Sequence, residues 1–204
     1  MENIAAEYFV KTGQFTKTTY RDVYPSVEPT AASNSQAGKV IVITGASKGI
    51  GRVETNARGT FLFTQGLLKL LGQDGTGSII NMTSGMAVLT VHGMSSYSLS
   101  KLAALQLQAY VALENPNMIV IALHPGIVMT EMTAGAFEPF AKCTPELVEG
   151  LGVWLSTGKA AFLNGRYVSS NWSVDDLVAR KEEIVSEGKL SLVLKGEFGE
   201  EQFP

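Results

Sequence analysis

Lys39-Val40-Ile41-Val42-Ile43-Thr44-Gly45-Ala46-Ser47-Lys48-Gly49-Ile50-Gly51 is the stretch from which the fold is read. Its first six residues are a short, continuous, β-branched run. Such a run marks a strand buried on both faces, as in a parallel sheet. Gly45, Gly49 and Gly51 then let the backbone turn sharply and come close to a ligand. A helix starting there points free N–H groups at an anion. A Gly-rich turn between a buried strand and a helix is a dinucleotide-binding signal.

Working outward, residues 52–71 read as a helix with an apolar face from Phe61, Leu62, Leu67, Leu68, Leu70 and Leu71, ended by Gly72. Ser78-Ile79-Ile80-Asn81-Met82-Thr83-Ser84 is a second strand, with Ser84 at its C-terminal end, where open α/β sheets bind ligands. A loop from Gly85 to Ser95 leads into a helix carrying Tyr97 and Lys101, which Pro116 stops. Met118 to Leu123 is a third buried strand, ending in His124-Pro125-Gly126. A mixed stretch runs to about Cys143. Thr144-Pro145 then opens a helix with Pro in its first turn. Residues 166–170 form a fourth strand. Ser173-Val174-Asp175-Asp176 resembles a capping box and starts a last helix that ends by Gly188. Strands alternating with helices mean an α/β fold with a parallel sheet. Upstream, residues 1–37 read as a polar arm, and its aromatics Tyr8, Phe9, Phe15, Tyr20 and Tyr24 suggest that it lies against the domain formed by residues 38–204.

Composition narrows the function. The 204 residues are 45% hydrophobic and 17% charged, as expected of a globular chain with a sizeable core. The net charge of −3, with no basic run, argues against nucleic acid and anionic membranes as partners. No apolar stretch is long enough to span a bilayer, and Met1-Glu2-Asn3 does not begin a signal peptide. The single cysteine, Cys143, fits a reducing compartment, so a cytoplasmic location is expected. His92 and His124 are not at metal-ligand spacing, and no metal is expected. Met86, Met94, Met129 and Met132 are candidates for a substrate pocket or for plain gap-filling.

The chemistry centres on Tyr97 and Lys101. Four residues apart on a helix, they stand on one face, one turn from each other. An ammonium beside a phenol favours the phenolate and lowers a pKa that starts at about 10. A phenol tuned in this way can give or take a proton near neutral pH.

These elements, in this order, make the sequence resemble the short-chain dehydrogenase/reductase family, and its arm and C-terminal helix resemble those of fungal members. Thr44, Gly45, Gly49 and Gly51 match its Thr-Gly-x-x-x-Gly-x-Gly turn. Asn56 and Gly59 match an Asn-x-x-Gly helix start. Ser84 matches the serine thirteen residues before Tyr-x-x-x-Lys, here Tyr97 and Lys101. Pro125, Gly126 and Thr130 match the segment after the next strand. The resemblance implies a catalytic set of Asn56, Ser84, Tyr97 and Lys101. Tyr97 exchanges the proton, Lys101 tunes it and holds the nicotinamide ribose, Ser84 hydrogen-bonds the substrate oxygen, and Asn56 holds a water. It implies cofactor contacts from Thr44, Gly45, Ser47, Lys48, Gly49, Ile50, Gly51, Tyr97, Lys101, Pro125, Gly126, Val128 and Thr130. The implied reaction is hydride transfer between NADP (or NAD) and a small alcohol or carbonyl compound. The implied assembly is a homo-oligomer through helices 57–71 and 96–113. The alternative is a non-catalytic relative acting as a dimerising module.

The sequence departs from the family in one place. Only Arg52, Val53, Glu54 and Thr55 separate Gly51 from Asn56, where the family places its second to fourth strands. The expected fold is therefore a truncated, Rossmann-like, doubly wound sheet of about four parallel strands. The first strand should lie directly beside residues 78–83, with the following helix on the face of the Tyr97 helix. The arm is expected to cover the first strand's open edge. The lost adenine side implies weak cofactor binding, with NADPH favoured through Lys48.

Overall fold

The computed structural model describes residues 5–36, 53–72, 75–131 and 133–196, and the backbone alone of residues 41–44. Helix α1 spans Tyr8–Thr12 in the arm. Strand β1 is Ile41–Thr44, α2 is Thr60–Leu71, β2 is Gly77–Met82, α3 is Ser95–Glu114 and β3 is Met118–His124. Helix α4 is Pro145–Leu155, β4 is Tyr167–Ser169, α5 is Val174–Ala179 and α6 is Lys181–Ser186.

The four strands form one parallel sheet in the order β1-β2-β3-β4. Ile41 pairs with Ser78 and Thr44 with Asn81, so β1 lies directly beside β2, as the sequence requires once the intervening strands are gone. Because all strands run the same way, Thr44, Met82, His124 and Ser169 end at one edge.

Helices cover both faces of the sheet. On one face Ile79 and Val120 pack with Val111 of α3 and with Leu67, Leu68 and Leu71 of α2. Helix α2 thus shares the face of α3, as expected. On the other face Ile80, Met82, Ile121, Leu123 and Val168 meet Leu147, Leu151, Trp154 and Leu155 of α4, Leu177 of α5 and Ile184 of α6. Burying each of these large side chains is worth about 1.5–3 kcal/mol, which makes the α4 face the main core.

Three expectations change. The 52–71 helix is not uniform: Glu54–Gly59 forms a π-helical turn before α2 begins. The last helix is broken at Arg180, whose guanidinium stacks 3.9 Å over the Phe15 ring and donates to the Phe15 carbonyl. Ser173 does cap α5, accepting from the Asp176 N–H at 3.2 Å. The arm also docks elsewhere than foreseen. Tyr24 and Val27 enter the α4–α5 core, and hydrogen bonds from Gly13 to Ser26 run to residues 143–180. The described contacts of the arm fall toward β4, the sheet edge opposite β1. The reason is packing: the cleft between α4 and α5 offers the arm's apolar side chains deeper burial than a strand edge does.

Candidate active site

Helix α3 is pinned to the end of β2 by polar side chains. Asn81 Nδ2 donates to the Ala104 carbonyl and Thr83 Oγ1 to the Lys101 carbonyl, both at 3.1 Å. Asn81 in β2 and Thr83 just past its end, two residues apart, point the same way and reach successive parts of the helix. Tyr97 and Lys101 are thereby held one turn apart near the C-terminal end of the sheet.

Lys101 is 7% exposed, and its ammonium donates to the Met82 carbonyl at 2.9 Å. Burial lowers its pKa from the ordinary lysine value. Two residues beyond Met82, Ser84 is extended, and its hydroxyl accepts from the Met86 N–H at 3.2 Å. It caps a short 3-10 turn over Gly85–Ala87. Asn56, in the π-helical turn, donates from Nδ2 to Ser100 Oγ at 3.1 Å. Ser100 Oγ in turn donates to the Tyr97 carbonyl at 2.7 Å. Asn56, Tyr97 and Lys101 are thus gathered around one helical turn, with Ser84 just past the strand on which Lys101 rests. Among the described residues no hydrogen bond joins the Tyr97 hydroxyl to Ser84 or Lys101.

The second half of the edge follows β3. Gly126 has φ +71°, and a Cβ there would lie 2.7 Å from Cys143 Sγ and 3.0 Å from Asn171 Oδ1, so both conformation and space call for glycine. Val128 forms a bridge with Cys143. The exposed Thr130 donates its N–H to Thr133 Oγ1, which donates to the Val128 carbonyl. Thr44 closes β1 at the same edge. Gly45, Ser47, Lys48, Gly49, Ile50 and Gly51 lie outside the described residues, as does Met132. Among the described residues no group of three or more His, Cys, Asp or Glu could hold a metal ion, and no helix is long and apolar enough to cross a membrane.

Ser100 and His124 lie beside these residues, and their sequence surroundings assign them no such place. Ser100 is fully buried, and its only local signal is its place before Lys101. His124 lies against Gly85, where an added Cβ would be 3.3 Å from its Nε2. Its Nδ1 is buried without a partner, and burial pushes its pKa down to about 4, so the ring is neutral at ordinary pH.

The short chain dehydrogenase family model matches residues 52–139. A short chain dehydrogenase of Monascus purpureus is 42% identical over 146 residues, which are 69% of this chain and 50% of the relative. One of Emericella variicolor is 35% identical over 147 residues, 70% of this chain and 51% of the relative. The chain spans about half the length of these curated relatives. Among solved structures, a 7α-hydroxysteroid dehydrogenase complexed with NADH and 7-oxo glycochenodeoxycholic acid superposes with a TM-score of 0.56 at 23% identity. That match covers 65% of this chain and 62% of the other. An acetoin dehydrogenase from Enterobacter cloacae gives 0.54 at 21% identity, covering 65% and 64%. At such identities the likeness is one of fold.

Proposed function

The chain belongs to the short-chain dehydrogenase/reductase family, and on that ground we propose that it is an NAD(P)-dependent oxidoreductase acting on a small alcohol or carbonyl compound. In this reading residues 1–37 are an arm on a cofactor-binding domain of residues 38–204, and the protein works in the cytoplasm. The observation that carries the reading is the gathering of Asn56, Tyr97 and Lys101 around one helical turn beside Ser84.

The residues do the following. Tyr97 passes a proton to or from the substrate oxygen. Ser84 donates a hydrogen bond to that oxygen, where negative charge builds as a carbonyl is reduced. Asn56, tied to Ser100, orients a water on the proton path. Lys101 has three N–H donors and spends one on Met82, leaving two for ribose hydroxyls. The ammonium therefore suits a nicotinamide ribose. Pro125, Gly126, Val128 and Thr130 follow β3 at the same edge and suit the nicotinamide end. The bound cofactor would supply the hydride.

The adenine half is the weak part. Its wall comes from strands that the chain lacks. A helix N-terminus offers an exposed phosphate only about 0.3–1 kcal/mol. Each lost contact of about 1.4 kcal/mol costs tenfold in affinity. The expected dissociation constant for NADPH is therefore toward millimolar, with NADH weaker still because Lys48 favours the extra phosphate. Calorimetric titration of both cofactors tests this: micromolar NADH binding without preference for NADPH would show an intact pocket.

A second reading rests on exposed apolar side chains. Phe61, Leu62, Phe63 and Leu70 of α2 and Leu99, Tyr110 and Leu113 of α3 are all at least 49% exposed. That surface suits a homo-oligomer through helices 57–71 and 96–113, whether the chain is active or serves as a dimerising module. Sedimentation equilibrium should give a dimer that Leu113→Asp breaks. A parent that stays monomeric at every concentration counts against it.

A further inference from the structure

Phe9 and Val10 of helix α1 face His124, at the C-terminal end of β3, and Asn171, two residues past β4, near the edge at which open α/β sheets take ligands. Between them is a cavity of about 10 Å³, room for about one water. Ala6, Phe9 and Val10 of the arm form an apolar wall, and His124, Gly126 and Asn171 form the opposite one. Arg21 reaches the same space. His124 Nδ1 is buried without a partner. An apolar wall faces a few polar groups, as in a small-molecule site, but the closed cavity is far below the roughly 300–1,000 Å³ of such sites, so a compound enters only if the wall moves.

Little holds α1 down. It has five residues, none buried, and no side chain caps its N-terminus. A helix so short has no stability of its own. The Phe9 ring sits edge-on to Phe140 at 5.0 Å and lies 6.3 Å from Phe137. Glu7 pairs with Arg21 at the surface, a contact worth at most about 1 kcal/mol.

We propose that α1 is a lid, with Phe9 as its latch, over a site that takes a small carbonyl or alcohol compound between the arm and the end of β3. The compound's class rests on the oxidoreductase reading, but the lid does not. With the lid raised, the polar groups of His124, Asn171 and Arg21 face an opening continuous with the Pro125–Gly126 turn. The identity of residue 9 then sets how large a compound enters.

Cys143, the chain's only cysteine, reports on the lid. Its thiol is 6% exposed and lies under Arg21 and Asn171, with Asn171 Nδ2 3.1 Å from Sγ. Labelling of Cys143 by Ellman's reagent is to be followed in the full chain, in Phe9→Ala and in Glu7→Gln. Phe9→Ala should label at least tenfold faster, with a urea dependence well below that of global unfolding followed by tryptophan fluorescence. Glu7→Gln should label a few-fold faster, less so in high salt. Cyclohexanone, added as the probe, should slow labelling of Phe9→Ala.

Equal labelling of Phe9→Ala and parent would overturn the lid, as would labelling that tracks global unfolding in every variant. Faster labelling that neither cyclohexanone nor cyclohexanol slows would overturn the site beneath it. Failure of the oxidoreductase reading would appear elsewhere, as absent cofactor binding with the labelling pattern intact.

Discussion

A Gly150→Ala chain is expected to melt several degrees below the parent and to loosen its arm. Gly150 is on the buried face of α4, and a Cβ there would lie 2.3 Å from the Val27 carbonyl oxygen and 3.3 Å from Val23 Cγ2. A backbone carbonyl cannot swing aside as a side-chain tip can, so the arm must move. Overpacking of this kind costs about 1–3 kcal/mol. Partial exposure of Tyr24 and Val27 adds to that, since a large apolar side chain is worth about 1.5–3 kcal/mol when buried. Against it stands the better helix propensity of alanine, about 1 kcal/mol. The net is a loss of about 2 kcal/mol, or roughly 4–8 °C for a chain of this size. Gly66 on α2 supplies the control: nothing lies within 4 Å of its added Cβ, so Gly66→Ala should stabilise. Thermal melts and limited proteolysis within residues 13–36 measure both. Equal melting temperatures and digestion patterns for Gly150→Ala and parent would show that the arm does not need this close approach.

Tyr97→Phe should remove nicotinamide-dependent turnover. Phenylalanine keeps the ring and loses the proton, and positioned proton transfer contributes about 10²–10⁴-fold. Lys101→Ala should be nearly as severe, because in the proposed mechanism its ammonium holds the nicotinamide ribose, one helical turn from Tyr97. Ser84→Ala should cost less, about 10²-fold, as for one donor to a developing oxyanion. Lys101 also carries a structural signature. Burial disfavours its charged form, while the hydrogen bond to the Met82 carbonyl offsets part of that cost. An absorbance assay at 340 nm (the reduced nicotinamide band) with a ketone substrate reads the rates. A Tyr97→Phe chain as active as the parent would sink the assignment of Tyr97.

Much of this protein is local and so was open to the sequence. The β-branched runs at 41–44 and 118–123 make strands through their own side-chain chemistry, and Pro145 and Ser173 mark helix starts by backbone rules. The spacing of Tyr97 and Lys101 puts them on one helical face whatever surrounds them. Even the pairing of β1 with β2 follows from chain order, since the strands that would stand between them in the family are missing from the sequence. The tertiary structure alone decided which distant groups meet. Gly150 receives the Val27 carbonyl, Asn56 finds Ser100, and Lys101 turns its ammonium onto the Met82 carbonyl. The arm goes to α4 and α5 because burial is worth more there than at a strand edge, and the π-helical turn that aims Asn56 has no local signature. Periodicity and capping act over a few residues, while these contacts join positions 19 to 123 residues apart. Their selection is a matter of shape and desolvation after the chain has folded.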